Sequence, residues 1–194
     1  MQLGLSNNKA IVTGGSRGIG HAITNTLIQE GVSVATCARG KSALDEALAQ
    51  WQEQGATVTG QSVDVSDPDA YRTWFESAVE QLDGLDVFVS NVTSMNEYQG
   101  EARWKQAFEA DLLQHVRATE LALPHLKKST SGSIVYIASI ASIMSANMPT
   151  ESEYGAMKAA LISYASQLAH TLGKDNIRVN IVSPGPIYHQ NGFW

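Results

Sequence analysis

The sequence predicts an α/β fold: a doubly wound parallel sheet in a three-layer α/β/α arrangement, within a single domain over residues 1–194. Strand-like and helical segments alternate along the chain, and such alternation favours parallel strands joined by right-handed crossovers. A glycine-rich run also separates the first strand from the first helix. We expect strands near 9–13, 33–38, 57–63, 85–90, 133–138 and 177–182, and helices near 18–30, 41–54, 68–82, 101–127 and 152–173.

The glycine-rich run, residues 13–20, reads T-G-G-S-R-G-I-G, a variant of the commoner G-x-G-x-x-G spacing. A strand, a glycine turn and a helix in that order place free backbone N–H groups and the positive helix end where a pyrophosphate can bind. Gly14 permits the tight turn, Gly18 lets a ligand approach the backbone, and Gly20 lets helix and strand pack closely. The alternative is a flexible surface loop, which the flanking strand and helix disfavour.

The end of the second predicted strand indicates which dinucleotide would bind. Ala38 stands where an acidic residue would contact the ribose hydroxyls of NAD, and Arg39 follows it. Arg17, in the glycine loop, is a second cation near the same ribose. Because guanidinium groups match phosphates with paired hydrogen bonds, we expect NADP(H) to be preferred over NAD(H). The alternative is that both arginines are ordinary solvated surface charges.

Three residues point to proton transfer at an alcohol or a carbonyl. Ser139 follows a strand-like segment, and ligands of open α/β sheets bind at the carboxyl ends of strands. Tyr154 and Lys158 are four residues apart in a predicted helix that a Thr150–Glu153 capping box would start, so they share one face. A Tyr–Lys pair at this spacing is usually a solvated surface pair, and its position after Ser139 favours a catalytic site instead.

The charge of Lys158 is large enough to make Tyr154 a general acid/base. A free tyrosine has a pKa of about 10, so proton transfer near neutrality needs a shift of about 3 units, or about 4 kcal/mol. One positive charge at about 4 Å supplies on the order of 4 kcal/mol at an effective dielectric constant near 20. Ser139 would then hold the substrate oxygen by a hydrogen bond.

Together these motifs resemble the short-chain dehydrogenase/reductase family in its single-domain Rossmann-fold form, of which 3-oxoacyl-thioester reductases are one familiar version. The resemblance runs from about Leu5 to about Ile187 and includes R-V-N leading into P-G near the end. It implies a cofactor site made of these residues: Gly14, Ser16, Arg17, Gly18, Ile19, Gly20, Arg39, Asp64, Val65, Asn91, Tyr154, Lys158, Pro184, Gly185 and Ile187.

Several of these roles come from the resemblance alone. It implies that Asp64 and Val65 contact the adenine, that Asn91 lines the cleft, and that Lys158 also bonds the nicotinamide ribose. It further implies that residues 184–187 shape the nicotinamide pocket. From the residues themselves, Asp64 is equally a strand-end turn residue and the Pro-Gly pair is equally a turn.

The chain departs from the family pattern in three segments. Where the family reads N-N-A-G, residues 90–93 read S-N-V-T, so Thr93 replaces the glycine. Asp111 aligns with a helix Asn that is thought to hold a water in the proton relay, so we count it with the catalytic residues. An ionised Asp accepts from that water but cannot donate, and it would raise the pKa of Lys158. His189 stands where a Thr commonly follows the P-G turn, so the resemblance does not extend to the contact of that Thr with the cofactor carboxamide or phosphate.

Family members usually continue with a substrate-covering segment, a final strand and a last helix. This chain stops at Trp194, so we expect a C-terminally truncated piece that lacks the last strand and helix. Such a piece would keep the cofactor fold and leave a sheet edge uncovered. We expect the full-length parent to be active, and the sequence leaves the activity of the 194-residue chain itself open.

Composition narrows the function classes. A net charge of −6 without a basic run disfavours nucleic acid as a partner. Cys37 is the only cysteine, so no internal disulfide can form, and its apolar strand favours a core residue over a nucleophile. The five histidines have no metal-ligand spacing, so no metal is expected. Without a signal peptide or an apolar span, we expect a cytoplasmic protein with no membrane partner.

Two function hypotheses remain. The first is an oxidoreductase that transfers hydride between NADP(H) and a small-molecule secondary alcohol or ketone. The second is a nucleotide-binding or regulatory relative whose catalysis has lapsed, which the presence of all three catalytic candidates disfavours. The substrate stays open, although Met144 and Met148 suggest an apolar one. The resemblance also implies a homodimer or homotetramer built on the helices near 101–127 and 152–173.

Overall fold

The computed structural model describes residues 3–93, 98–144 and 152–187. The strands in these residues are β1 Lys9–Thr13, β2 Ser33–Ala38, β3 Val58–Ser62, β4 Val87–Ser90, β5 Ser133–Ile137 and β6 Arg178–Val182. They form one parallel sheet in the order β3-β2-β1-β4-β5-β6. Because the order reverses between β1 and β4, the doubly wound topology predicted from the sequence is confirmed.

Helices connect the strands and cover both faces of the sheet. They are α1 Gly18–Gln29, α2 Lys41–Glu53, α3 Pro68–Leu82, α4 Gly100–Phe108, α5 Gln114–Leu126 and α6 Ser152–Leu172, with short 3-10 turns at Ile140–Ser142 and Gly173–Asp175. The predicted element boundaries agree with these within two residues, apart from the segment 101–127. No helix in the described parts of the chain is long and apolar enough to cross a membrane.

Alternate residues of β1 enter two separate cores. Ile11 packs on the face that α3, α5 and α6 cover, together with Phe75 and Phe88, whose rings meet edge to face. Val12 packs on the opposite face, under α1 and α2, together with Trp51. Burial on both faces explains why the strand reads as a continuous apolar run. Each large buried side chain contributes about 1.5–3 kcal/mol, and the two cores fix the carboxyl ends of the strands.

A π-helical turn, Glu109–Leu113, separates α4 from α5. The segment 101–127 was predicted as one unbroken helix, and that prediction is wrong at this turn. Apolar periodicity reports a helical face over many residues, and one wide turn leaves it almost unchanged. Within the turn Asp111 is fully buried, and an ion pair between Glu109 and Arg117 joins the turn to α5. The turn therefore brings a carboxylate into the interior of the fold.

Candidate active site

A long open cavity of about 1640 Å³ runs along the carboxyl edge of the sheet. The glycine loop and Arg39 line one end, and Ser139, Tyr154 and residues 184–187 line the other. Ligands of open α/β sheets bind at this edge, where the strand order reverses. The structure thus brings the predicted phosphate-binding loop and the predicted catalytic residues into one cavity.

The glycine loop presents backbone to the cavity. A Cβ atom at Gly20 would lie 2.2 Å from the carbonyl oxygen of Gly14 and 2.6 Å from Nδ2 of Asn91, so no side chain fits there. Gly14 has a φ of +75°, which other residues rarely adopt, and its N–H donates to the carbonyl of Cys37 at 2.8 Å. Gly18 has a φ of +57° with open space beside it. A ligand can therefore approach the loop backbone closely.

The first turn of α1 has no side-chain cap. Arg17 occupies the N-cap position in an extended conformation and makes no capping hydrogen bond. At the start of α3, by contrast, the carboxylate of Asp67 accepts from two backbone N–H groups at 3.1 Å. Ser16 and Ile19 line the cavity on either side of Arg17. Uncapped N–H groups at the positive end of a helix bind anions, so this turn fits a phosphate.

Two cations lie at the same end of the cavity. Arg17 and Arg39 are exposed, and both line the cavity. Ala38 ends β2 directly before Arg39, so the strand end offers no carboxylate to a ribose. This charge distribution suits an additional phosphate near the end of β2.

Val65 and Asp64, the residues after β3, have different surroundings. Val65 is buried and lines the large cavity, beside the glycine loop end. Asp64 lines only a small adjoining pocket, and its carboxylate accepts from the N–H of Ser66 at 2.9 Å. Asp64 therefore stabilises the turn after β3, and a contact of either residue with an adenine stays a prediction.

Asn91 joins the carboxyl ends of β1 and β4, where the strand order reverses. Its backbone N–H donates to Oγ1 of Thr13 and its Nδ2 donates to the carbonyl of Thr13, both at 2.9 Å. The side chain also lines the cavity. Asn91 thus holds the base of the glycine loop against β4, and its contact with a cofactor stays a prediction.

Ser139 lies two residues beyond β5 and is 8% exposed, with its side chain at the cavity. Its Oγ accepts from the N–H of Ala141 at 3.1 Å, which orients the oxygen and leaves the hydroxyl proton for another acceptor. The N–H of Ile140 donates to the carbonyl of Pro184 at 3.1 Å. That bond joins the Ser139 segment to the residues predicted to shape the nicotinamide pocket, which line the same end of the cavity: Pro184, Gly185 and Ile187.

Tyr154 and Lys158 lie on one face of α6. Nζ of Lys158 is 5.6 Å from the centre of the Tyr154 ring, and both residues line the cavity. Lys158 is nevertheless only 1% exposed, and its ammonium donates to the carbonyl of Ile137 at 3.2 Å. Gly155 allows α6 to pack directly on the turn after β5, because a Cβ there would lie 2.8 Å from the carbonyl oxygen of Ala141.

Asp111 lies behind Lys158 rather than in the cavity wall. Its Oδ1 is 3.3 Å from Nζ of Lys158 and accepts a hydrogen bond from the hydroxyl of Thr93. The sequence indicated a water-holding role, whereas the structure shows a direct ion pair. Asp111 raises the pKa of Lys158 as predicted, but burial acts more strongly in the opposite direction, so this pKa is lowered overall.

Some polar groups near Lys158 were not predicted from the sequence. Thr93 was noted only as a lost glycine. His115 is fully buried, with Nδ1 2.6 Å from Oγ of Ser90, and burial followed by the charge of Lys158 lowers its pKa well below the ordinary value. Asp111 and His115 are four residues apart in one helical segment. That pair of polar residues on one face was the available signal for a buried polar cluster.

The first turn of α6 is held by an ion pair between Glu153 and Arg103 of α4. Glu153 is buried, so this pair fixes the residue next to Tyr154. The capping box proposed for Glu153 depends on Thr150, which lies outside the described residues, as do Met148 and His189. Met144 lies at the cavity and is 44% exposed.

Comparison with known proteins identifies the family. The sequence profile of the short chain dehydrogenase family matches residues 8–191. An isoepoxydon dehydrogenase of Penicillium expansum is 32% identical over 194 residues, covering 98% of this chain and 74% of that protein. A tropinone reductase homolog of Arabidopsis thaliana is 37% identical over 187 residues, covering 93% and 70%. The crystal structure of L-sorbose reductase from Gluconobacter frateurii, complexed with NADPH and L-sorbose, matches with a TM-score of 0.90 at 32% identity, covering 97% of this chain and 73% of that one.

The sequence matches span nearly the whole chain, and the structural match covers the same fold. The resemblance predicted from the motifs is confirmed at the level of the family, while the 3-oxoacyl-thioester-reductase version stays a prediction. The chain belongs to the short-chain dehydrogenase/reductase family of oxidoreductases.

Proposed function

We propose that this chain transfers hydride between NADP(H) and a secondary alcohol or ketone, with Ser139, Tyr154 and Lys158 as its catalytic residues. The observation that carries the proposal is the buried ammonium of Lys158, 5.6 Å from the ring centre of Tyr154, in the same cavity as the glycine loop. A solvated surface pair would leave the ammonium in water, where a charged group is most stable. Burial of Lys158 therefore argues against a chance Tyr–Lys spacing.

The residues of the cavity fit a dinucleotide. The uncapped first turn of α1 and the open side of Gly18 suit a pyrophosphate. Arg17 and Arg39 suit a 2′-phosphate, which favours NADP(H) over NAD(H), and the L-sorbose reductase with its bound NADPH supports the same choice. Residues 184–187 and Lys158 would hold the nicotinamide end, whose ring supplies or accepts the hydride when bound.

Each catalytic residue has one task in this proposal. Ser139, oriented by the N–H of Ala141, donates its hydroxyl proton in a hydrogen bond to the substrate oxygen. Tyr154 gives a proton to that oxygen when a ketone is reduced and takes it back when an alcohol is oxidised. The charge of Lys158 favours the ionised form of the Tyr154 phenol. Asp111 acts through Lys158 and does not reach the cavity.

The proposal is tested by turnover with NADPH and with NADH on tropinone, L-sorbose and a 3-oxoacyl thioester, and with NADP on secondary alcohols. We expect at least one substrate to react, with a higher kcat/KM for NADPH. Tyr154→Phe should lower kcat about 10²–10⁴-fold, the usual contribution of a general acid/base, while NADPH still binds.

The matched control is Tyr164→Phe, ten residues further along α6, where the half-buried ring packs against Tyr136. This variant should keep its turnover. Undiminished turnover in Tyr154→Phe would overturn the proton-transfer role. Binding of NADPH without turnover on any substrate would favour the lapsed, nucleotide-binding alternative.

We also propose that two or four copies of the chain assemble through the helices around residues 101–127 and 152–173. Trp104 and Phe108 of α4 are 44% and 45% exposed, and large apolar side chains at a surface favour a partner. Light scattering should show a dimer or tetramer, and Trp104→Glu should shift it towards the monomer. A monomeric wild type would contradict this proposal.

A further inference from the structure

We propose that Asp111, held by the hydroxyl of Thr93, is a positioning residue that keeps the Lys158 ammonium charged beside Tyr154. The inference rests on the proposed function, because it assigns a task to a residue behind the proton-transfer pair. In the family pattern the positions of Thr93 and Asp111 carry a glycine and an asparagine, which are both neutral. A carboxylate with its own hydroxyl donor is therefore a departure of this chain that the structure unites in one contact.

The geometry around the ammonium supplies the physical reason. Nζ of Lys158 lies 3.3 Å from Oδ1 of Asp111 and 3.2 Å from the carbonyl of Ile137. The side chains of Lys158 and Asp111 are 1% and 0% exposed, so water does not stabilise either charge. A buried cation without a counter-charge loses its proton, whereas a carboxylate at this distance favours the charged form. The burial of Lys158 makes the partner necessary.

Thr93 fixes the carboxylate in the orientation that this ion pair needs. Its hydroxyl donates to Oδ1 of Asp111, the same oxygen that faces the ammonium. Thr93 follows the end of β4, while Asp111 belongs to the π-helical turn, so the bond ties that turn to the sheet. A carboxylate that accepts from two donors at once has little rotational freedom. Contacts among Thr93, Asp111 and Lys158 thus link the segment after β4, the π-helical turn and α6.

The other titratable groups around the ammonium do not replace this counter-charge. His115 of α5 has a pKa well below its ordinary value because it is buried and near Lys158, so it is neutral. Tyr136 of β5 stays protonated, because burial raises its pKa. Glu153, at the start of α6, is paired with Arg103 of α4. The 3-10 turn after β5 carries no titratable side chain, and the one charged residue of β6 is exposed.

The consequence is a pH range over which Lys158 keeps its proton. Burial already lowers the pKa of Lys158, and Asp111 raises it. Without the carboxylate this pKa falls further, so the amine loses its charge at a lower pH. Turnover should fail at that same lower pH, because a neutral amine does not favour ionisation of the Tyr154 phenol.

The test follows the titration of Lys158 directly, in the chain without cofactor or substrate. Lysine labelled with ¹³C at the ε carbon is titrated from neutral to alkaline pH by NMR, and Lys158→Arg identifies the signal by its loss. Asp111→Asn should move the Lys158 midpoint to lower pH. Thr93→Val should lower the Lys158 midpoint by a smaller amount. Thr93→Ser keeps the hydroxyl, so its midpoint should equal that of the wild type. The alkaline pH at which kcat/KM falls should shift most in Asp111→Asn, less in Thr93→Val, and not at all in Thr93→Ser.

Asp86→Asn is the matched control, because it makes the same chemical change at the opposite end of the strands. Asp86 accepts from the N–H of Lys9 at 2.9 Å and from the hydroxyl of Ser129 at 2.5 Å, so its loss should lower stability without moving the Lys158 titration. An unmoved midpoint in Asp111→Asn would overturn the inference. If that variant does not fold, equal midpoints in Thr93→Val and Thr93→Ser would overturn it.

The NMR readout separates this inference from the proposed function. A shifted Lys158 midpoint together with full turnover in Tyr154→Phe would overturn the proposed function and leave the counter-ion role of Asp111 standing. An unmoved midpoint together with an inactive Tyr154→Phe would overturn the counter-ion role of Asp111 and leave the proposed function standing.

Discussion

The two ends of the cavity are built from different parts of the chain. The glycine-loop end uses backbone: the uncapped N–H groups of α1 and a loop whose Gly20 admits no Cβ, with Arg17 and Arg39 exposed beside it. The other end, called the catalytic end after its proposed catalytic residues, uses side chains that are removed from water, above all Lys158 with its ion pair to Asp111. The glycine-loop end requires positions without a side chain, such as Gly20. The catalytic end requires a counter-charge for the buried ammonium of Lys158.

This difference sets how each end responds to substitution. An exposed cation is stabilised by water, so its loss weakens a ligand contact and leaves the fold unchanged. Removal of one member of a buried ion pair leaves the other charge without a partner, which costs about 3–5 kcal/mol. The catalytic end should therefore lose stability and activity together, whereas the exposed part of the glycine-loop end should lose affinity alone.

The largest effect is expected for Lys158→Met. The substitution leaves the Asp111 carboxylate buried without the ammonium as its counter-charge, so the free energy of unfolding should fall by about 3–5 kcal/mol, and turnover should be lost. Denaturant unfolding and steady-state kinetics measure the two effects. Lys41→Met removes an exposed ammonium paired with Asp45 and serves as the control, with a change within about 0.5 kcal/mol.

The double variant Lys158→Met/Asp111→Leu sharpens the same comparison. Apolar side chains in place of a buried ion pair are often neutral for stability, so this variant should recover most of the lost free energy of unfolding without recovering turnover. A single Lys158→Met variant as stable as the wild type would show that the pair is not buried as described.

A smaller effect is expected for Gly20→Val at the glycine-loop end. Its Cβ would lie 2.2 Å from the carbonyl oxygen of Gly14, which cannot move without shifting β1, so the free energy of unfolding should fall by about 1–3 kcal/mol. NADPH binding, measured by fluorescence titration, should weaken as the loop is displaced. Gly173→Ala is the control, since a Cβ there meets nothing within 4 Å. Unchanged NADPH affinity in Gly20→Val would contradict the role of the loop backbone.

The pH dependence of stability should report on His115. Its pKa in the folded chain is well below that in the unfolded chain, so below the ordinary histidine value the unfolded state binds the extra proton. The free energy of unfolding should therefore fall by about 1.4 kcal/mol for each pH unit below about 6.5. His115→Asn keeps a hydrogen-bonding group for Ser90 without a titrating ring, so the difference between the two curves isolates the effect. Parallel curves would argue against a buried neutral imidazole.

The smallest effect on the fold is expected for Arg39→Ala. Arg39 is exposed at the cavity, so we expect unchanged stability and about tenfold weaker NADPH binding, which corresponds to about 1.4 kcal/mol. NADH binding should stay the same, and steady-state kinetics with both cofactors measures the contrast. Equal kcat/KM for NADPH and NADH in the wild type would remove the preference for NADP(H).

A feature of this molecule could be predicted from the sequence where it depends on residues that are neighbours along the chain. Strands, the glycine loop and the Tyr154–Lys158 spacing depend on neighbours along the chain, so local patterns indicate them. The contact between Thr93 and Asp111 joins residues 18 apart across a strand end and a π-helical turn. No sequence pattern around Thr93 or Asp111 indicates a π-helical turn or a hydrogen bond between these two residues. Thr93 and Asp111 were therefore recognisable as departures, but their contact with each other was not.

A crystal structure of the chain with NADP bound is the decisive measurement for the proposed site, because it shows both ends of the cavity at once. We expect the 2′-phosphate between Arg17 and Arg39, the pyrophosphate on the first turn of α1, and the Tyr154 hydroxyl directed at the space beside C4 of the nicotinamide. A Tyr154 hydroxyl that points into bulk solvent, remote from that carbon, would contradict the proposed proton transfer.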